Sequence, residues 1–177
     1  SIVIANDGQL QSGNYAGALD IANSATLQYS SSANQIVSGV ISGQGTLVKD
    51  TAESSILTLS GANTYSGDID LDAGSVVVGS AGQLESGNYS GALAIANGTT
   101  FEYASSEDQT LAGVISGAGL LLKDSADSAL TLSGVNTHTG AIDIDQGSVI
   151  VGAAGQLESG DYAGAIDIAN GATLQYA

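Results

Sequence analysis

Short apolar runs, separated by glycine, asparagine and serine, recur along the whole chain. A glycine is followed by an apolar residue two positions later and usually by another at the fourth, as in residues 17–21 (GALDI) and 140–144 (GAIDI). A second apolar run comes after each of these segments, for example TLVK at 46–49. Alternation with a period of two predicts β-strands, and no stretch of ten residues shows the 3.6-residue period of a helix.

The leading glycines of these segments follow one another at intervals of 22 to 28 residues. A hairpin sheet gives no reason for a whole unit to repeat at this distance, whereas a parallel β-helix repeats once per coil and stacks coils at about 4.8 Å. We therefore expect an all-β fold, a single-stranded parallel β-helix (β-solenoid) of about seven coils of roughly 24 residues.

The expected core consists of apolar pairs on the glycine-led strands, because alternate residues point to the same side of a strand. In the second run the inward face stays open, since residues 76–78 (VVV) and 120–122 (LLL) are apolar throughout. The inward pairs are predicted to be Leu19 with Ile21, Ile69 with Leu71, Leu93 with Ile95, Ile142 with Ile144, and Ile166 with Ile168.

A longer repeat contains the shorter one. The segment GQLQSGNY at residues 8–15 returns at 82–89 and at 155–162, so the period is 74 and then 73 residues. We interpret residues 1–177 as one β-helix segment cut from a longer repetitive protein. Its super-repeats are predicted at approximately 8–81, 82–154 and 155–177, the last one partial.

Charge narrows the range of partners. Eighteen acids against two lysines and no arginine give a net charge of −16, which argues against nucleic acid and anionic membranes as partners. No apolar stretch is long enough to span a bilayer, so direct membrane insertion of this segment is not expected. The chain has no cysteine, and disulfides are therefore excluded.

Two stretches of the super-repeat carry a likeness to a known family. The motif pieces are GTLVK at 45–49, LTLSGANTYSG at 57–67 and GSVVVG at 74–79, with second copies at 119–123, 130–140 and 147–152. Together they resemble the passenger-associated repeat of autotransporters, the type V secreted proteins of Gram-negative bacteria.

The resemblance implies a right-handed parallel β-helix, displayed extracellularly on the cell surface of a Gram-negative bacterium. A C-terminal translocator barrel elsewhere in the parent chain would anchor it in the outer membrane. The family motif often has Thr-Thr-Ile where this chain has Asp68-Ile69-Asp70 and Ala141-Ile142-Asp143. The regular super-repeat favours a stalk or adhesin over a toxin.

The acids supply the candidates for metal binding. If all glycine-led strands form one column, Asp143 and Asp167 lie one above the other, and like charges at that distance can recruit a cation. Calcium is the natural guest for carboxylates, but it needs six to eight oxygens. We therefore treat Asp143 and Asp167 as weak calcium candidates on an acidic face that is solvated by default.

For the tyrosines, the histidine and the lysines, a structural role is a simpler explanation than a functional one. Tyr15, Tyr89 and Tyr162 are candidates for surface contact with sugars or proteins, although each ring is more simply explained as the cover of a corner of its own coil. His138 is the only histidine, and Tyr65 occupies its position in the other copy, which favours a structural role. Lys49 and Lys123 each precede an aspartate and are expected to form local ion pairs, of little energetic value if exposed.

Catalysis is not expected in this segment. β-Helix polysaccharide lyases and hydrolases exist, and Asp68, Asp70 and Asp72 could supply a carboxylate pair for hydrolysis. In the next copy, however, Ala141 replaces Asp68, and no singular polar cluster stands out.

The expectation is a non-enzymatic, rod-like segment of a bacterial adhesin with no cofactor. Its partner would be a host-cell or matrix receptor. The alternative is a self-associating aggregation or biofilm module whose partner is a copy of itself. A polysaccharide-degrading enzyme is a remote alternative.

Overall fold

The computed structural model describes residues 1–50 and 54–177, and its strands pair in parallel throughout those residues. The chain winds into a β-solenoid of about 8 turns with a spacing of about 22 residues. The predicted all-β, parallel β-helical fold is confirmed, with slightly shorter and more numerous coils than expected. None of the described residues forms a helix long and apolar enough to cross a membrane.

Strands stack into three columns, which we call the first, second and third sides of the solenoid. The first side contains β1 (Ile2–Asn6), β4 (Thr26–Ser31), β7 (Thr46–Asp50), β9 (Ile69–Ala73), β12 (Leu93–Ile95) and β15 (Ile115–Gly117). The second contains β2 (Asn14–Tyr15), β5 (Gln35–Val37), β8 (Ile56–Leu59), β10 (Ser75–Ser80), β13 (Thr100–Ser105), the starts of β16 (Leu120–Leu132) and β17 (Ile142–Val151), and β18 (Ile166–Ile168). The third contains β3 (Leu19–Ile21), β6 (Ile41–Gly43), β11 (Asn88–Tyr89), β14 (Gln109–Leu111), the ends of β16 and β17, and β19 (Thr173–Tyr176).

Each strand buries alternate residues, and the core runs along the solenoid axis. The open question about residues 76–78 is resolved: Val76 and Val78 are buried, while Val77 is half-buried and faces outward. Full burial of an aliphatic side chain contributes about 1.5–3 kcal/mol, so this ladder is the main source of stability. Of the predicted inward pairs, those of β9, β12 and the start of β17 are fully buried.

The pairs at the two ends are less covered. Leu19 is half-buried and Ile21 is buried. Ile166 and Ile168 remain 38% and 44% exposed, since they lie in the last turn that the structure describes.

The length of the super-repeat is not a whole number of solenoid turns. A period of 74 residues is about three and a third turns of about 22 residues. Strand pairs that are equivalent in sequence therefore lie on different sides. The pair Leu47–Ile69 lies on the first side, and its counterpart Leu121–Ile142 lies on the second.

The same offset applies to the other two sides. Strand pairs on the second side have their sequence counterparts on the third, and pairs on the third side have theirs on the first. Gln35 pairs with Leu57 on the second side, and Gln109 pairs with Leu130 on the third. Leu19 pairs with Ile41 on the third side, whereas its counterpart pair, Leu93 with Ile115, is on the first. Each super-repeat is thus rotated by about one third of a turn relative to the previous one.

This offset corrects the prediction of a single column of glycine-led strands. Asp20 stacks with Ser42 on the third side, and Asp70 stacks with Ala94 on the first. Ser42 and Asp70 do not pair, because the amides of Thr64 and Ser66 bond to the carbonyls of β6 instead.

Candidate functional site

Several of the polar side chains that repeat along the chain lie inside the solenoid. Asn63 is 0% exposed, and its Oδ1 accepts a hydrogen bond from the Ile41 amide of the preceding coil at 2.8 Å. Its Nδ2 donates to the Gly61 carbonyl and to the Gln83 carbonyl of the following coil. Asn136 repeats the first two contacts with Ile115 and Gly134. At this corner, the side chain of the asparagine therefore makes the coil-to-coil hydrogen bonds that backbone groups make within the strands.

This role was not predicted from the sequence, although a signal was present. Asparagine stands at the same place in both copies of the LTLSGxNT motif, while its neighbours Ala62 and Thr64 change or are exposed. A buried amide that satisfies three backbone groups is compatible with a core, because each polar atom keeps a partner.

The repeated tyrosines are internal. Tyr89 is 0% exposed, its ring stacks on Tyr65 at 6.4 Å, and its hydroxyl donates to the Gly67 carbonyl one coil below. Tyr162 donates in the same way to Gly140, and Tyr15 is half-buried. Tyr89 cannot present its ring to a partner, so the proposed row of surface tyrosines is wrong at that position. The coil-covering alternative fits all three.

Both lysines are buried, so the exposed case considered for their ion pairs does not apply. Lys49 and Lys123 are 0% exposed. Lys49 Nζ donates to Ser55 Oγ at 2.7 Å and to the Ala73 carbonyl, and Lys123 Nζ donates to the Ser125 carbonyl. Each ammonium also lies 5.7–5.9 Å from the centre of a tyrosine ring on the adjacent coil, Tyr29 and Tyr103 respectively. Alternation explains the result, since a lysine and the aspartate after it point to opposite faces of a strand.

Because both lysines are internal, every exposed charged side chain within residues 1–50 and 54–177 is an acid. Burial lowers the pKa of Lys123, and Asp124, Asp108 and Asp127 oppose that shift. The exterior therefore has an uncompensated negative charge, which repels a second copy at low ionic strength.

The predicted acid pair is in register. Asp143 on β17 stands opposite Asp167 on β18. Partial burial raises the pKa of Asp143, and the neighbouring Asp167 and Asp145 raise it further. Within the described part of the chain, no group of three or more His, Cys, Asp or Glu residues is arranged to hold a metal ion. Calcium binding here stays a prediction.

The acids named for hydrolysis have different environments. Asp68 Oδ1 accepts the Ala92 amide at 2.8 Å, so it links two coils. Burial raises the pKa of Asp70, as do Asp72 and Asp68. These carboxylates line the outer face of β9 and the residue before it.

The exposed part of the super-repeat is the loop at residues 8–15, 82–89 and 155–162, here called the GQL loop. Its fourth and fifth residues adopt positive φ without being glycine, as at Glu85 (φ 45°) and Ser86 (φ 52°). The other two copies repeat this conformation. Left-handed non-glycine residues cost of order 1–3 kcal/mol each and persist only where the surroundings enforce them.

The surroundings of the GQL loop do enforce it. Leu84 is buried, its amide donates to Gln109 Oε1 at 2.9 Å, and its carbonyl accepts from Gln109 Nε2. Glu85 Oε2 accepts both the amide and the hydroxyl of Ser90 at 2.7 Å. Gln109 is a further internal side chain that was not predicted from the sequence. Ser86 and Asn88 remain exposed at the tip of this rigid loop.

The three GQL loops leave the solenoid at three different corners. They follow β1 on the first side, β10 on the second and β17 on the third. One third of a turn separates successive loops, and three and a third turns raise each loop by roughly 16 Å at the strand spacing of a β-sheet.

Comparison with known proteins agrees with this architecture. The family described as passenger-associated-transport-repeat matches residues 53–78 and 127–151, the two segments that contain the asparagine corner and the strands around it. No match was found among curated proteins, and none among solved structures. The predicted resemblance is confirmed: the chain carries two passenger-associated-transport repeats, as autotransporter passengers do, and such repeats imply a secreted, cell-surface protein of Gram-negative bacteria.

Proposed function

We propose that this segment is a non-enzymatic rod of a surface adhesin and that its GQL loops make the adhesive contacts. The observation that carries the proposal is the loop itself. It is strained and exposed and recurs on each of the three sides, and buried glutamines anchor its first two copies. Rigid presentation lowers the entropic cost of binding, and repetition along a rod supports multivalent attachment.

The partner in this proposal is a receptor on a host cell or in the matrix. A rod whose loops face three directions can engage such a surface without first rotating about its axis. Attachment of the parent protein to the outer membrane through another part of the chain belongs to the same proposal.

Self-association is the second candidate. Asn, Thr and Ser cover much of the exterior and could pair between rods. The uniformly acidic exterior works against it at low salt, so aggregation would require screening or bridging cations.

A bead assay separates these functions. The segment is coupled to beads at one end, and attachment to epithelial cells or matrix is scored beside bead-to-bead clumping, with and without calcium. The loop variant replaces one exposed residue per loop with lysine, namely Asn14, Asn88 and Asp161. The control introduces the same number of lysines and the same change of charge on the first side, at Gln28, Asp72 and Ser116.

Attachment that is lost in the loop variant and kept in the control supports the proposal. Attachment lost equally in both reflects charge alone and contradicts the role of the loops. Clumping without attachment favours self-association. If the beads neither attach nor clump, the segment acts as a spacer.

A further inference from the structure

One buried position differs between the two copies of the motif. Tyr65 and His138 are super-repeat counterparts, and both side chains lie inside the solenoid, 1% and 2% exposed. The Tyr65 hydroxyl accepts the Leu47 amide at 2.9 Å and contacts the carbonyls of Gly45 and Asp68. A single oxygen thus joins three backbone groups.

The imidazole of His138 makes only one of these contacts. Its Nε2 lies 2.9 Å from the Gly119 carbonyl, which can only accept, so Nε2 carries the proton. Nδ1 is then a bare acceptor, and it has no hydrogen-bond partner. The neutral ring fits the site, while a second proton on Nδ1 would be buried without an acceptor.

The walls around the ring offer no counter-charge. They are formed by Ile115, Leu121, Leu132, Asn136, Ile142 and Leu157. The charged residues on the same elements are Lys123, Asp124 and Asp127 on β16, Asp143 and Asp145 on β17, and Glu158 next to Leu157. None of them hydrogen-bonds to the ring among the described residues.

We propose that the coil containing His138 is an acid-labile joint of the rod: a proton taken up by Nδ1 breaks the coil-to-coil packing there, while the Tyr65 coil stays closed. Burial lowers the pKa of His138, and the hydrogen bond to Gly119 opposes this, which agrees with the geometry. A rod built this way is stiff at neutral pH and opens at defined places in an acidic environment.

The direction in which pH changes the stability of this coil follows from the linkage between proton binding and opening. With a folded-state pKa below the unfolded value of about 6.5, the opened coil binds the proton more readily. Stability is complete above that value and falls as the pH drops below it. At about pH 5 the closed-to-open ratio of this coil decreases by up to roughly thirtyfold.

The test is hydrogen exchange read by mass spectrometry at about pH 7.5 and about pH 5, corrected for intrinsic exchange. Segments 115–123 and 136–146 report on the His138 coil, and segments 41–49 and 63–72 report on the Tyr65 coil. Three proteins are compared: the unmodified chain, His138→Tyr and Tyr65→His. Both substitutions place at each site the residue that its counterpart already uses, so folding is expected to be preserved.

We expect the unmodified chain to lose protection at acidic pH only in the His138 coil. His138→Tyr should remove this loss, and Tyr65→His should create it in segments 41–49 and 63–72. Equal protection of both coils at acidic pH would overturn the proposal. So would an acid response that persists in His138→Tyr. If a variant is destabilised at both pH values, the imidazole titration followed by NMR decides, and a pKa of His138 at or above its ordinary value contradicts the joint.

Discussion

Asn63 Oδ1 accepts the Ile41 amide at 2.8 Å, across the boundary between two coils. Replacement of Asn63 by Ala strips this buried amide of its acceptor, while the Gly61 carbonyl keeps the Gln83 amide as a donor. Leaving one such buried group unsatisfied costs about 1–3 kcal/mol, and we expect a loss of that size in the free energy of unfolding. Urea unfolding measures this.

The matched control is Asn97→Ala. Asn97 is exposed at a corner, and a surface change of this kind shifts stability by less than about 0.5 kcal/mol. If both variants unfold at the same urea concentration as the unmodified chain, the bridging role of Asn63 is wrong.

Close contact between coil corners explains why glycine recurs there. A Cβ added to Gly140 would lie 1.8 Å from the Gly119 carbonyl oxygen, whereas one added to Gly152 would meet no heavy atom closer than 3.5 Å. We expect Gly140→Ala to destabilise by about 1–3 kcal/mol through overpacking, and Gly152→Ala to be tolerated. Thermal unfolding followed by circular dichroism compares the two; equal melting temperatures would contradict the stacking of these corners.

Lys123 gives a prediction with a pH dependence. Since burial lowers its pKa in the folded chain, the unfolded chain binds the proton more tightly, and stability rises as the pH approaches the unfolded value of about 10.4. Lys123→Met keeps a flexible side chain of similar length and removes the titration. We expect the unmodified chain to gain stability relative to Lys123→Met between about pH 7 and about pH 9.5.

The comparison is made by urea unfolding of both proteins at each pH, so that contributions from other groups cancel. A difference that stays constant across the range would mean that Lys123 reaches solvent. A difference of the opposite sign would mean that the folded coil stabilises the ammonium.

The stacked carboxylates on the second side should repel one another. Asp143→Asn removes the repulsion with Asp167, and like charges directly opposite on neighbouring strands cost roughly 0.2–1 kcal/mol. We expect a gain of that order at neutral pH and low salt, and a smaller gain at high salt. Because the raised pKa of Asp143 means that the folded chain holds its proton more tightly, the gain should also shrink as the pH falls and Asp143 becomes neutral.

Asp20→Asn is the control for this pair. Asp20 stacks with Ser42 and accepts its hydroxyl at 3.0 Å, so no like charge is removed. A gain in the control equal to that of Asp143→Asn would assign the effect to net charge. If calcium stabilises the unmodified chain but not Asp143→Asn, so that the gain shrinks or reverses, the acid pair binds a cation instead.

The fold could be predicted from sequence because the physics that sets it is local and repeated. Alternation identified the inward positions of β9 and β12, and glycine marked the corners. The offset between sides was harder to see. It depends on the length of a turn, about 22 residues, which corners of unequal length conceal until the strand register is known.

The burial of the internal polar residues was not predicted from the sequence. The same alternation that buries Leu47 also buries Lys49, yet the sequence was interpreted only as a local lysine–aspartate pair, and burial of the lysine was not predicted. Lysine, asparagine and glutamine can enter this core only because carbonyls and amides of the corners meet them there. Such partners come from other coils, and nothing in a local sequence pattern reports them.

Disulfide mapping tests the central claim, that each super-repeat is rotated by about one third of a turn. The chain has no cysteine, so engineered pairs can be read without background. Strand neighbours in register lie within the roughly 4.4–6.8 Å between Cα atoms that a disulfide needs. The account predicts oxidation to intramolecular disulfides for one pair on each side, Val48 with Asp70, Asp143 with Asp167, and Thr110 with Thr131. It predicts none for Ser42 with Asp70 or Ser116 with Asp143. Efficient closure of these last two pairs would show a single column of glycine-led strands and would contradict the account.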